Sequence, residues 1–285
     1  MYDHILVPVD GGDLATAALD HALEIAADRN TTVSLLYVAD TNEPSQTRVG
    51  ANVVDVLEQE GEEIVSDARE RAAAYDVTVT TDVVQGIPHE AIVEYAATRE
   101  VDLVVMGTHG RDGLERYLLG SVAERVVNTA PMPVLTVPGA DEPTYPYRSV
   151  LVPTDGSDHA TAAVGMGAEV ATRHDATLHL LTVLEDSILG AIGGRTERET
   201  RANELLEDAD STARDAGVDD VVTAVESGSV PREITSYAGA AGIDLVVMGT
   251  HGRNGLDQHL LGSITERVLR TASVPVLTTN RSAGP

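Results

Sequence analysis

The chain predicts an α/β protein of two tandem domains, each a five-stranded parallel sheet with helices on both faces. Three observations lead there. At 285 residues the chain is longer than one small core requires. It repeats itself once: YDHILVPVDG from Tyr2 aligns with YRSVLVPTDG from Tyr147, and DLVVMGTHGR from Asp102 returns unchanged from Asp244. Within each half, short apolar runs alternate with helix-spaced segments, the pattern of parallel strands joined by crossover helices. Halves of roughly 140 residues are domain-sized rather than solenoid repeats. We expect a first domain over 1–139, a linker over 140–147 that holds Pro143 and Pro146, and a second domain over 148–285.

The elements follow in order. His4 to Val9 is a short apolar run, read as a buried strand. Ala15, Ala18, Leu19, Ala22, Ile25 and Ala26 share one helical face, so Asp13 to Arg29 reads as a helix. TTVSLLYV is the second strand, ending near Val38; a polar loop and a long helix then reach Tyr75. VTVTTDVV is the third strand, and Pro88 suits a helix start. DLVVM is the fourth strand, Ser121 to Thr129 the last helix, and PVLTV the fifth strand. The second half repeats the scheme, with strands near 149–153, 176–183, 220–226, 244–248 and 275–279. In such sheets ligands bind beyond the carboxyl ends of the strands, near the switch in strand order.

That edge carries the repeated stretch GTHGRDGLERYLLGS, Gly107 to Ser121, and its copy GTHGRNGLDQHLLGS, Gly249 to Ser263. The spacing is G-x2-G-x9-G-S. Glycine lets backbone approach a ligand without a Cβ clash. Amides near Gly120, Ser121 and Val122 open a helix, where orphan donors and the positive dipole end favour an anion. Gly107 and Gly110 can curl round the same anion. The competing reading is structural: Ser121-x-x-Glu124 and Ser263-x-x-Glu266 have capping-box spacing. Asp10 and Asp155, in PVDGGD and PTDGSD, lie at the same edge. They serve either a base, ribose or phosphate-bound metal, or a turn before glycine. Ser157 and Asp158 read as a helix cap. His109 and His251 sit inside the glycine loops, solvated by default, with phosphate contact the alternative. Arg111 and Arg253 are better phosphate candidates, or else pair with local carboxylates. Arg195, Arg198 and Arg201 read as a solvated face, with a phosphate lid as the weaker alternative.

Other nucleotide motifs are absent. The chain has no lysine, which excludes a Walker A loop, and no G-x-G-x-x-G follows a first strand. Gly165 and Gly167 fall inside a predicted helix. No cysteine is present, so thiolate and disulfide chemistry are excluded.

The PVDG start, the VVMGTHGR turn and the G-x2-G-x9-G-S tail, each present twice and in order, resemble the universal stress protein family, specifically a tandem member of its ATP-binding branch. The resemblance implies flavodoxin-like or Rossmann-like domains with strands in a flavodoxin-like order, ATP along the carboxyl edge, and Mg2+ or Mn2+ held through the phosphates. It places Pro8, Asp10, Val38 and Met106 at the adenine and ribose end, and Gly107, Gly110, Gly120, Ser121 and Val122 on the phosphates. The second-domain matches are Pro153, Asp155, Val183, Met248, Gly249, Gly252, Gly262, Ser263 and Ile264. It also implies that the domains pair through their last strands; a homodimer and an unidentified protein partner are further expectations. The expected role is a nucleotide-responsive stress module. The alternatives are a weak ATP-hydrolysing or phosphoryl-transferring enzyme, or a regulatory partner of a transporter or antiporter.

Charge bounds the partners. Asp and Glu total 46 against 19 Arg, a formal −27. Nucleic acid is excluded, because phosphate backbones need basic patches. Carboxylate self-repulsion of this size is relieved by salt, so we expect adaptation to a salt-rich cytosol. MYDHILVPVD carries no secretory signal, and no apolar run approaches the roughly 20 residues of a membrane span; a cytoplasmic location is expected.

Overall fold

The computed structural model describes residues 2–28, 31–42, 46–49, 52–108, 119–139, 143–185, 195–252 and 261–280. The chain divides into two compact units, Met1–Glu142 and Pro143–Pro285.

In the first unit the elements run β1 (His4–Pro8), α1 (Asp13–Ala27), β2 (Thr32–Asp40), β3 (Gln46–Val49), β4 (Asn52–Asp55), α2 (Val56–Ala72), β5 (Thr78–Gly86), α3 (Pro88–Thr98), β6 (Leu103–Gly107), α4 (Ser121–Thr129) and β7 (Val134–Val137). Five strands form a parallel sheet in the order β7-β6-β1-β2-β5. This is the Rossmann-like order, 3-2-1-4-5 in chain sequence; the flavodoxin-like order that the resemblance implied would be 2-1-3-4-5. The reason is in the pairing of β5, which runs along β2 from Thr32↔Thr78 to Asp40↔Gly86 and so extends the sheet outward. Only β6 returns to the far side of β1, with Leu103 opposite Ile5. The strand order therefore switches between β1 and β6.

The polar loop expected after β2 holds a two-stranded antiparallel hairpin, β3 with β4, from Gln46↔Asp55 to Val49↔Asn52. Its β-branched Thr47, Val49, Val53 and Val54 are the strand signal that the loop reading passed over.

The second unit runs β8 (Ser149–Pro153), α5 (Asp158–His174), β9 (Thr177–Leu184), α6 (Arg195–Asp215), β10 (Val221–Ser227), α7 (Val230–Ala241), β11 (Leu245–Gly249), α8 (Ser263–Thr271) and β12 (Val276–Thr279). Its parallel order, β10-β9-β8-β11-β12, repeats that of the first unit.

Helices on both faces bury the middle of the central strands. Ile5, Leu6, Val7, Val104, Val105, Val150, Leu151 and Val152 have no solvent exposure. This is why β1, β6, β8 and β11 read as continuous apolar runs rather than alternating ones. The outer β5 alternates exposed with half-buried residues at its start. Small residues let helices approach closely. A Cβ on Gly167 of α5 would lie 2.4 Å from Val152 Cγ2, so this glycine serves packing, as its helical position suggested.

One carboxylate in each unit ties the amino ends of the strands together. Asp102 Oδ2 accepts the backbone N–H of Asp3 (2.8 Å) and of His4 (3.0 Å). Asp244 Oδ2 accepts those of Arg148 (2.7 Å) and Ser149 (3.0 Å). The repeated DLVVM therefore begins with a clamp that holds β6 to β1, and β11 to β8, at the edge away from the glycine loops.

Candidate functional site at the carboxyl edge

At the switch point the register sets the sequence-predicted residues side by side. Pro8 ends β1 opposite Leu36 of β2, and Leu6 faces Val104 of β6, which brings Met106 level with Pro8. Val38, two residues beyond Leu36, stands level with Asp10 and is half-buried. Met106 is buried at 6% exposure and Met248 at 5%. Pro153, Asp155 and Val183 hold the matching half-buried positions in the second unit.

Each aspartate has one oxygen committed to a turn. Asp10 Oδ1 accepts the N–H of Gly12 at 2.8 Å, and Asp155 Oδ1 that of Ser157 at 2.9 Å. The turn reading of these residues is therefore met. Asp155 Oδ2 lies 3.1 Å from the point where a Cβ on Gly252 would stand, which sets Gly252 against Asp155. Ser157 caps α5 as expected, accepting from Ala160 N at 3.3 Å; its counterpart in the first unit, Gly12, caps α1 with no side-chain bond.

The long loop after the fourth strand returns to where it began. Gly120 N donates to Thr108 O at 2.7 Å, and Gly262 N to Thr250 O at 2.9 Å. A Cβ on Gly262 would meet that same carbonyl oxygen at 2.8 Å, too close for any other residue without backbone movement. The helices then start on glycine: Glu124 N bonds Gly120 O and Glu266 N bonds Gly262 O, both at 2.9 Å. Gly120 and Gly262 are thus the N-caps, and no side chain caps either helix. The capping-box reading of Ser121 and Ser263 is corrected accordingly. Each serine is the first helical residue, its side chain exposed, one step past the position from which a hydroxyl caps. The opening amides of α4 and α8, with Val122 half-buried and Ile264 at 38% exposure beside them, face out at the carboxyl edge. Uncapped donors at a positive helix end suit an anion.

Gly107 and Gly249 have a packing reason of their own. A Cβ on Gly107 would stand 2.8 Å from the carbonyl carbon of Leu14, and one on Gly249 2.8 Å from His159 Cβ. The glycines let α1 and α5 close onto the ends of β6 and β11. Gly110, Arg111, Arg253 and His109 lie outside the described residues. Arg198 and Arg201 are exposed on α6, in keeping with a solvated face.

His251 departs from the solvated loop histidine expected of it. It is half-buried, and its Nδ1 lies 3.0 Å from Thr250 Oγ1. That hydroxyl also faces Thr279 O at 3.4 Å and Asn280 Oδ1. The ring of His159, in the first turn of α5, is 5.4 Å away, and its Nδ1 is buried without a hydrogen-bond partner. Sequence reading passed over His159; its one signal was an imidazole four residues past Asp155, where the first domain has Leu14 four past Asp10.

Among the described residues no helix is long and apolar enough to cross a membrane. The family model described as "Universal stress protein family" matches residues 1–138 and again 146–280. A universal stress protein of Methanocaldococcus jannaschii is 38% identical over 141 residues, covering 48% of this chain and 82% of that protein. One of Mycobacterium bovis is 29% identical over 293 residues, spanning 98% of this chain and 97% of its own. The crystal structure of a universal stress protein from Archaeoglobus fulgidus superposes with a TM-score of 0.73 at 22% identity, over 98% of this chain and 96% of that one, and so shares the fold. Both halves of the sequence match the family model in turn, and this chain belongs to the universal stress protein family as a tandem, two-domain member.

Proposed function

We propose that each domain binds one ATP at its carboxyl edge, and that the bound nucleotide serves as a regulatory signal in a stress response. The observation that carries this reading is the glycine-capped, side-chain-free start of α4, repeated in α8 beside an exposed serine. The phosphates would meet the opening amides and hydroxyls of Ser121 and Ser263, with Gly120 and Gly262 allowing close approach. Pro8, Asp10, Val38 and Met106, and Pro153, Asp155, Val183 and Met248, would take the base and ribose. Gly107, Gly110, Gly249 and Gly252 complete the loops, and Arg111 and Arg253, next in sequence to Gly110 and Gly252, are candidate cations. Mg2+ or Mn2+ would enter with the phosphates as their counter-charge.

The donors here are largely neutral backbone groups in a chain of formal charge −27. An approaching polyphosphate is repelled at long range, and salt screens that repulsion. The same surplus of carboxylates suits a cytoplasm rich in salt. Titration of the full chain with the magnesium complex of ATP, by calorimetry at low and at ~2 M KCl, tests both ideas. Binding should hold or strengthen in high salt. Ser121→Glu/Ser263→Glu, which sets a carboxylate in each cradle, should abolish it while leaving the circular dichroism spectrum unchanged. Unimpaired binding by the double variant, or a steep loss of affinity with salt in folded wild type, contradicts the reading. Turnover of labelled ATP during the titration would favour the enzymatic alternative.

A further inference from the structure

The two cradles differ where the first helix of each unit meets the end of the fourth strand. In each unit the residue packed on the strand-end glycine comes from the first turn of that unit's first helix: Leu14 of α1 beside Gly107, His159 of α5 beside Gly249. His159 therefore stands where the first domain has an aliphatic side chain. From there its ring reaches 5.4 Å from that of His251. His251 is itself at the cradle: its Cα lies 3.6 Å from the Cβ position of Gly262, the N-cap of α8. Two imidazoles thus sit between the amino ends of α5 and α8, where each helix dipole disfavours a cation. The described charges around them are Asp155 after β8, Asp158 beside His159 on α5, and Glu266 on α8, which pairs with Arg270 at 3.4 Å. Arg253, in the loop after His251, lies outside the described residues.

A polyphosphate arriving here changes that balance. Its charge favours imidazolium against the helix ends, and a protonated ring offers N–H donors on both nitrogens. We propose that His159 and His251 form a phosphate-binding pair that takes up a proton as nucleotide binds, so that the second domain's site tightens with falling pH while the first domain's, with Leu14 in place of His159, does not. The proposal rests on the nucleotide reading above.

The test uses the full chain with one cradle blocked at a time: Ser121→Glu leaves the second site, Ser263→Glu the first. Each is titrated with the magnesium complex of ATP by calorimetry at about pH 8 and about pH 6.5, in buffers of different ionisation enthalpy. Ser121→Glu should bind about fivefold tighter at the lower pH and take up protons; Ser263→Glu should change by less than about twofold, which also controls for titration of the ligand. Adding His159→Leu to Ser121→Glu should remove both the pH dependence and the proton uptake. The fold already accepts leucine at the equivalent Leu14, and His159→Asn serves as a second variant. Equal pH dependence at the two sites, or its persistence in both His159 variants, overturns the proposal while leaving nucleotide binding intact. Failure of wild type to bind at either pH overturns the nucleotide reading itself, and this proposal with it.

Discussion

His21 shows how a single side chain sets a pH limit on the first domain. It lies on the core face of α1 at 1% exposure, and burial lowers its pKa from 6.5 to about 4. Glu24 Oε2 is 3.5 Å from its Nδ1, a contact that by itself would favour the charged ring, yet desolvation dominates and the ring stays neutral. The sign follows from proton counts. Above pH 6.5 both folded and unfolded chains hold the neutral ring, and nothing is lost. As pH falls from 6.5 toward 4 the unfolded chain binds a proton that the folded one refuses. The penalty grows at about 1.4 kcal/mol per unit, to roughly 3 kcal/mol by pH 4. Met166 occupies the equivalent place in α5, so His21→Met is a substitution with precedent inside the chain. Its thermal midpoint should fall less between pH 6.5 and 4.5 than that of wild type; an unchanged pH profile would show that His21 is not the titrating group.

At the scale of elements, the duplication offers internal comparisons that no single domain gives. α3 and α7 both end by turning into the left-handed region, with Val101 N bonded to Ala96 O and Ile243 N to Ala238 O, each at 2.9 Å. The second unit makes this turn with Gly242 at φ 64°, the first with Glu100 at φ 53°. A non-glycine residue there carries a steric cost of about 1 kcal/mol. Glu100→Gly should therefore raise the unfolding midpoint of the first domain by roughly 3 °C, read by calorimetry; a lowered midpoint would mean that the Glu100 side chain contributes more than its backbone costs. The same comparison shows what was legible in the sequence. The central strands β1, β6, β8 and β11 were readable because strands buried on both faces are continuous apolar runs. The hairpin β3–β4 was not, because four-residue strands in a polar setting carry too short a pattern to register beside a loop. The repeated glycines and serines were readable from spacing, but not the structural parts they play. Gly107 and Gly249 answer first to helix packing, and the cap belongs to Gly120 and Gly262 rather than to the serines, because a cap is fixed by where the helical hydrogen bonds begin. His159 was missed for a different reason: it matters only through a neighbour 92 residues further along the chain.

For the whole molecule, duplication of a complete domain preserved both cradles while letting their surroundings diverge. The Asp102 and Asp244 clamps, the Asp10 and Asp155 turns and the two glycine caps all recur. A chain keeping one active site and one scaffold would have no need of the second uncapped helix start, since a capping side chain there stabilises by about 1 kcal/mol. Two competent sites of unequal pH response would give one molecule two thresholds for the same ligand. The most direct measurement is the number of ATP molecules bound per chain at saturation in Mg2+, by equilibrium dialysis of the purified full chain. We expect two. Saturation at one would contradict the equivalence of the cradles as binding sites, and no saturable binding would contradict the nucleotide-binding function as a whole.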